Sequence, residues 1–96
     1  MAYWVIWSEL ALRRLEEIFD SIAQNNEPAA AKLAEQIFDR TATLADFPRR
    51  GRLYPGSPEP NLRELLVAKF RVIYELHEPE EQVRILTVRH QRRQLL

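Results

Sequence analysis

A chain of 96 residues with no cysteine and a formal net charge of zero makes one domain around one core, carries no disulfide or thiolate metal site, and fits a reducing cytoplasm. No apolar run approaches the roughly 20 residues a membrane span needs, and the N-terminus lacks the basic-then-apolar order of a signal peptide. The charge is polarised: residues 1–48 hold 4 basic and 8 acidic side chains, residues 49–96 hold 10 and 6, and 12 of the 14 basic residues are arginine, whose planar fork suits carboxylate and phosphate.

Tyr3 to Trp7, aromatic and β-branched, reads as a first strand. Ser8 follows as a helix N-cap with Glu9 in the first turn, where a negative charge suits the dipole. Ala11, Leu15, Ile18, Phe19 and Ile22 then form one helical stripe, and the helix should end near Asn25–Asn26. Pro28 is tolerated in the first turn of a second helix, which runs to about Ala45 with Ala30, Leu33, Ala34, Ile37, Thr41 and Leu44 as its buried stripe and Phe38 on the flank. Pro48 stops it. Two amphipathic helices joined by a few polar residues make an antiparallel hairpin, and each needs a surface to cover.

Residues 48–61 hold four of the six prolines and both glycines, so they read as a loop. Its arginines, Arg49, Arg50 and Arg52, either pair with acidic helix residues or contact phosphate. Three runs rich in Val, Ile and aromatics follow: 62–67, 70–76 and 83–90. They are joined by Ala68–Lys69, a weak turn signal, and by the acidic turn 77–82, which makes a meander of consecutive antiparallel strands. The predicted fold is therefore α+β: an N-terminal strand, a helical hairpin, then a three-stranded antiparallel meander with the helices packed on one face of the sheet. Arg63, Arg71, Arg84 and Arg89 recur inside these runs. Because desolvating an unpaired guanidinium is costly, the sheet must present part of a face or its ends to water or to a partner.

No phosphate-binding glycine loop, metal-ligand pair or nucleophile elbow is present, so no metal or cofactor is expected. His77 reads as a surface residue. His90 ends a strand in a basic cluster, within reach of Arg71 on a neighbouring strand; it reads either as a proton acceptor or as a strand-end histidine with a structural hydrogen bond. Arg71 can neutralise an oxyanion or pair with a carboxylate. Glu59 is the carboxylate of the basic loop that could serve as a base, and a solvated charge is its plainer reading. Tyr74, alternating with Val72 and Leu76, reads as core.

Taken together, these segments resemble the RelE/ParE superfamily of bacterial toxins, over almost the whole chain. The resemblance rests on Trp7–Ser8 ending the aromatic strand, the helical hairpin, Phe47-Pro48-Arg49-Arg50-Gly51-Arg52, and Leu62-Arg63-Glu64-Leu65. It rests further on Phe70-Arg71-Val72-Ile73-Tyr74 and on Val83 to His90 with Arg92–Arg93. It implies the toxin of a type II toxin–antitoxin module, neutralised by a partly disordered, acidic antitoxin that folds over it. RelE-type members cut mRNA in the ribosomal A site; ParE-type members poison DNA gyrase and cut no RNA, so the fold does not choose the target. Arg71 matches the arginine that RelE-type nucleases use on the scissile phosphate, and Glu59 and His90 could stand for the base and C-terminal histidine of some relatives. The lysines expected in the preceding strand are Leu62 and Glu64 here, however, and the His90-Gln91-Arg92-Arg93 ending looks more like ParE. The resemblance thus implies a ParE-like gyrase inhibitor first and a RelE-like endoribonuclease as the alternative. Arg71, His90 and Glu59 would be catalytic in the second case alone. Arg49, Arg50, Arg52, Arg63, Arg89, Arg92 and Arg93 would contact antitoxin or target in either.

Overall fold

The computed structural model describes residues 2–92. The chain runs β1 (Trp4–Trp7), α1 (Glu9–Ala23), α2 (Glu27–Ala42), a single 3-10 turn (Thr43–Ala45), β2 (Arg52–Leu53), β3 (Leu62–Val67), β4 (Phe70–His77) and β5 (Gln82–His90). The expected hairpin of helices and meander of strands are both present. The sheet has five strands in the order β1-β5-β4-β3-β2; β1 lies parallel to β5 and every other pair is antiparallel. The loop read over 48–61 contributes β2, because Arg52 and Leu53 pair with Glu64 and Arg63. The second helix stops at Ala42 rather than Ala45, its last residues tightening into the 3-10 turn.

Capping chemistry sets the helix starts. The Ser8 hydroxyl accepts the Ala11 N–H at 3.0 Å, and the Asn26 side chain accepts the Ala29 N–H at 3.1 Å. The Ser8 hydroxyl also donates to the Leu86 carbonyl at 3.1 Å. Leu86 is the extra residue of a bulge: Ile73 pairs with Thr87, while the next residue, Tyr74, pairs with Ile85. The same serine therefore starts α1 and anchors the irregularity in β5.

The helices cover one face of the sheet. Leu15, Leu33, Ile37 and Leu44 pack on Leu65, Val67, Val72, Tyr74, Leu76, Val83, Ile85 and Val88. Burying each such aliphatic side chain is worth about 1.5–3 kcal/mol, so this layer holds the fold together. Ala68, first residue of the tight β3–β4 turn, adopts φ 54, and so does Glu81 before β5. Side-chain packing on both sides of these turns outweighs the cost of a left-handed non-glycine residue, about 1–2 kcal/mol. Among the described residues no helix is long and apolar enough to cross a membrane.

Candidate site on the open face of the sheet

Side chains alternate across a strand, so the register assigns each one a face. On the face away from the helices, four rows cross the sheet. Leu66, Arg71 and Arg89 form the first; Arg52, Glu64, Ile73 and Thr87 the second; Leu62, Glu75, Arg84 and Ile6 the third; His77, Gln82 and Trp4 the fourth. In the third row Glu75 stands opposite Arg84, and in the fourth His77 reaches back to the Glu75 carboxylate at 2.8 Å. The first row sets two guanidinium groups against each other with no acid between them, an arrangement that repels.

Glu64 offsets part of that charge. Its side chain is fully buried, accepts from Arg52 Nε at 2.6 Å, and lies 3.4 Å from Arg71 Nη1. Arg52 is 58% exposed and Arg71 19%, so the carboxylate lies beneath the guanidinium groups. Arg89 donates to the Tyr54 hydroxyl, whose ring centroid is 5.9 Å from the guanidinium carbon. Arg52 and Arg71 thus share one carboxylate, and among the described residues the Nε atoms of Arg71 and Arg89, like that of Arg63 on the other face, are buried with no hydrogen-bond partner.

The structure does not bring Arg71, His90 and Glu59 together. Arg71 is opposite Arg89 on the open face, whereas His90 is opposite Phe70 on the helix-covered face. The bulge at Leu86 causes this: it shifts the alternation, turning Val88 and His90 toward the helices and Thr87 and Arg89 away. His90 meets the Phe70 ring edge-on at 5.1 Å, and its Nδ1 accepts the Arg92 N–H at 3.0 Å, the structural hydrogen bond of a strand-end histidine. It lines a groove of about 840 Å³ beside Ile18 and Ile22 of α1. Glu59 is exposed in the loop, its N–H donating to the Ser57 hydroxyl at 3.1 Å.

The remaining arginines divide by use. Arg63, on the helix side, donates to the Gly51 carbonyl at 2.8 Å and the Arg49 carbonyl at 3.3 Å. Tyr74, buried beside it, donates to the Pro48 carbonyl at 2.8 Å and accepts the Gly51 N–H at 2.9 Å. These bonds fix the basic loop to the sheet edge. Burial pushes the Tyr74 hydroxyl above its ordinary pKa of 10.0; the Gly51 hydrogen bond and the Arg63 charge pull it partly back. Arg49 pairs with Glu78, and Arg50 lies 5.0 Å from the Phe47 ring centroid. Arg92 is exposed, and Arg93 lies outside the described residues. Among the described residues no three His, Asp or Glu side chains converge as metal ligands would.

Sequence reasoning marked Arg71, Arg89 and Arg52 but treated Glu64 as a missing lysine and passed over Tyr54. The signal for Glu64 was present: with a two-residue turn at Ala68–Lys69, it falls diagonally across from Arg71 on the same face. Nothing in a proline-rich loop announces that Tyr54 reaches Arg89.

Comparison with known proteins agrees with this fold. Residues 5–95 match the model of a family described as the ParE toxin of the type II toxin-antitoxin system, parDE. The chain is 36% identical over 88 residues to Y4kP of Sinorhizobium fredii, named as a toxin candidate, covering 92% of this chain and 88% of that one. It is 35% identical over 86 residues to toxin RelE2 of Caulobacter vibrioides, covering 90% and 92%. In fold it is similar to a chain of the chromosomal ParDE toxin–antitoxin system of P. aeruginosa, with TM-score 0.76, 21% identity, and coverage of 93% and 96%. It is also similar to the isolated E. coli RelE toxin, with TM-score 0.64, 16% identity, and coverage of 97% and 88%. With a family model matched over nearly its whole length, the chain belongs to the ParE toxins of type II toxin–antitoxin systems, within the RelE/ParE superfamily.

Proposed function

We propose that this toxin arrests growth by binding DNA gyrase, cuts no RNA, and is neutralised by an acidic antitoxin. The observation that carries the reading is the contact of Glu64 with Arg71. A phosphodiester drawn to Arg71 would meet a buried carboxylate beneath it, and like charges in a low-dielectric site repel strongly. Attack of a ribose hydroxyl on the phosphodiester also calls for a base within hydrogen-bond reach of that hydroxyl, to take its proton. His90 is on the other face of the sheet from Arg71, and Glu59 is out in the loop. An inhibitor that acts by contact needs no such base. Solved relatives that are toxin–antitoxin complexes, among them RelBE2 of Mycobacterium tuberculosis and RelBE of E. coli, support a proteinaceous antitoxin.

Ribosome-dependent mRNA cleavage is the second reading. It is favoured by the opposed Arg71 and Arg89, which could grip a phosphate, and by the likeness to toxin RelE2. One experiment separates the two. Purified toxin is added to gyrase with relaxed plasmid and, separately, to a translating extract whose mRNA is mapped by primer extension. The expected outcome is loss of supercoiling or trapped cleaved DNA, with intact mRNA. Cuts within codons that vanish on Arg71→Ala, with supercoiling untouched, would overturn the proposal.

A further inference from the structure

The charges on the open face alternate along a path and then stop. Arg52 meets Glu64, Glu64 meets Arg71, and Arg71 faces Arg89 with nothing acidic between them. We infer that Arg71 and Arg89 form a slot for one carboxylate side chain of an acidic, amphipathic peptide. The inference rests on the antitoxin half of the reading above and is independent of the gyrase half.

Three observations support it. First, the two guanidinium groups stand opposite each other with no acidic residue in their row. A guanidinium offers a planar fork that a carboxylate fills with two parallel bonds, and an acceptor between two such forks would satisfy both. Secondly, the slot holds its groups in place before any ligand arrives: Glu64 lies against Arg71, and the Tyr54 hydroxyl holds Arg89, so little side-chain freedom is lost on binding. Thirdly, the rim of the slot is apolar. Leu66, directly opposite Arg71 in the first row, is 43% exposed. A peptide that alternates acidic and apolar side chains can place a carboxylate between the arginines and an aliphatic group on Leu66. A nucleic acid strand brings repeated phosphates, for which the single slot beside buried Glu64 and the leucine at its rim are poor company.

The test uses the full chain labelled with 15N-arginine, so that the Nε–H resonances of Arg71 and Arg89 report on the slot. The probes are a 15-residue helical peptide of glutamate and leucine, its glutamine counterpart, and a 12-nucleotide single-stranded uridine RNA. The glutamate peptide should move both resonances together. The glutamine peptide should bind at least tenfold more weakly, which requires no change to the protein. Arg89→Lys, which keeps the charge but loses the fork, should weaken the glutamate peptide about fivefold, and Arg40→Lys, at an exposed position on α2, should leave it unchanged. Equal binding of both peptides, no movement of the two resonances, or tighter engagement of the pair by RNA would each overturn the inference. None of these results depends on gyrase, so the supercoiling assay fails or succeeds separately.

Discussion

The two faces of the sheet treat arginine in opposite ways. On the helix-covered side Arg63 donates to two backbone carbonyls, and its neighbour Tyr74 has a partner for both its proton and its lone pair. On the open side Arg71 and Arg89 confront each other, and the one nearby carboxylate, Glu64, is already bonded to Arg52 and Arg71. Arg63, Arg71 and Arg89 each leave a buried Nε without a partner among the described residues, so the difference lies in charge: like charges set directly opposite each other destabilise a strand pair, and an acidic visitor relieves that. The first face therefore reads as the one that holds the loop and sheet together, and the second as the one kept for a visitor. Substitutions on the first should cost stability; those on the second should change what the surface binds.

The largest loss is expected at Gly51. A Cβ there would lie 2.6 Å from the Tyr74 hydroxyl and 2.7 Å from the Glu64 carbonyl, so Gly51→Ala must move backbone or break the Tyr74 bonds. We expect a loss of about 3 kcal/mol in urea denaturation. Tyr74→Phe leaves the Gly51 N–H and Pro48 carbonyl without their partner and should cost about 2 kcal/mol. Its pH signature is distinctive. Because the folded-state pKa of Tyr74 is raised, the native state holds the proton longer than the unfolded chain does. Stability from this group is full below the unfolded pKa, near 10.0, and is lost as pH rises through the higher folded value. The gap between wild type and Tyr74→Phe should therefore narrow above pH 10, measured by thermal melts; a gap that widens would contradict the assignment. Next comes Ser8→Ala, which removes both the α1 cap and the anchor on Leu86, with an expected loss of about 1–2 kcal/mol.

Most of this fold is written in local patterns. The 3.6-residue stripes of Ala11, Leu15 and Ile18 and of Leu33 and Ile37, the capping serine before Glu9, and the Val- and Ile-rich runs after residue 62 each have a physical reason that needs no tertiary context. β2 escaped notice because two residues among prolines and glycines carry no period; only pairing with Glu64 and Arg63 makes them a strand. The site was half legible. Arginines inside strands announced an open face, but which arginine or histidine shares it depends on counting alternation along β5, and the bulge at Leu86 resets that count. Without it His90 would have stood on the Arg71 face and Arg89 beneath the helices. An extra residue in a strand leaves no mark in composition, so a pattern reading puts His90 near Arg71 while the fold turns it toward Phe70.

Glu64→Gln should have the smallest effect on folding and the sharpest effect on the contrast between the faces. The amide keeps an oxygen for Arg52 and Arg71, and Arg52 is exposed enough to turn to water, so the expected stability loss is about 1 kcal/mol, the difference between a charged and a neutral acceptor. What changes is the field. With the carboxylate gone, Arg52, Arg71 and Arg89 form a cluster without its internal counter-charge, and an inorganic anion can take that place. An anion that binds the native state alone raises the melting temperature, and the rise grows with the logarithm of its concentration once that exceeds Kd. Melts in phosphate and in chloride at matched ionic strength should therefore differ more for Glu64→Gln than for wild type. The same comparison on Tyr74→Phe, whose lesion is on the other face, should show no added response. Equal phosphate effects in all three proteins would mean that Glu64 does not keep phosphate from these arginines, and the case against a phosphodiester ligand would lose its physical basis.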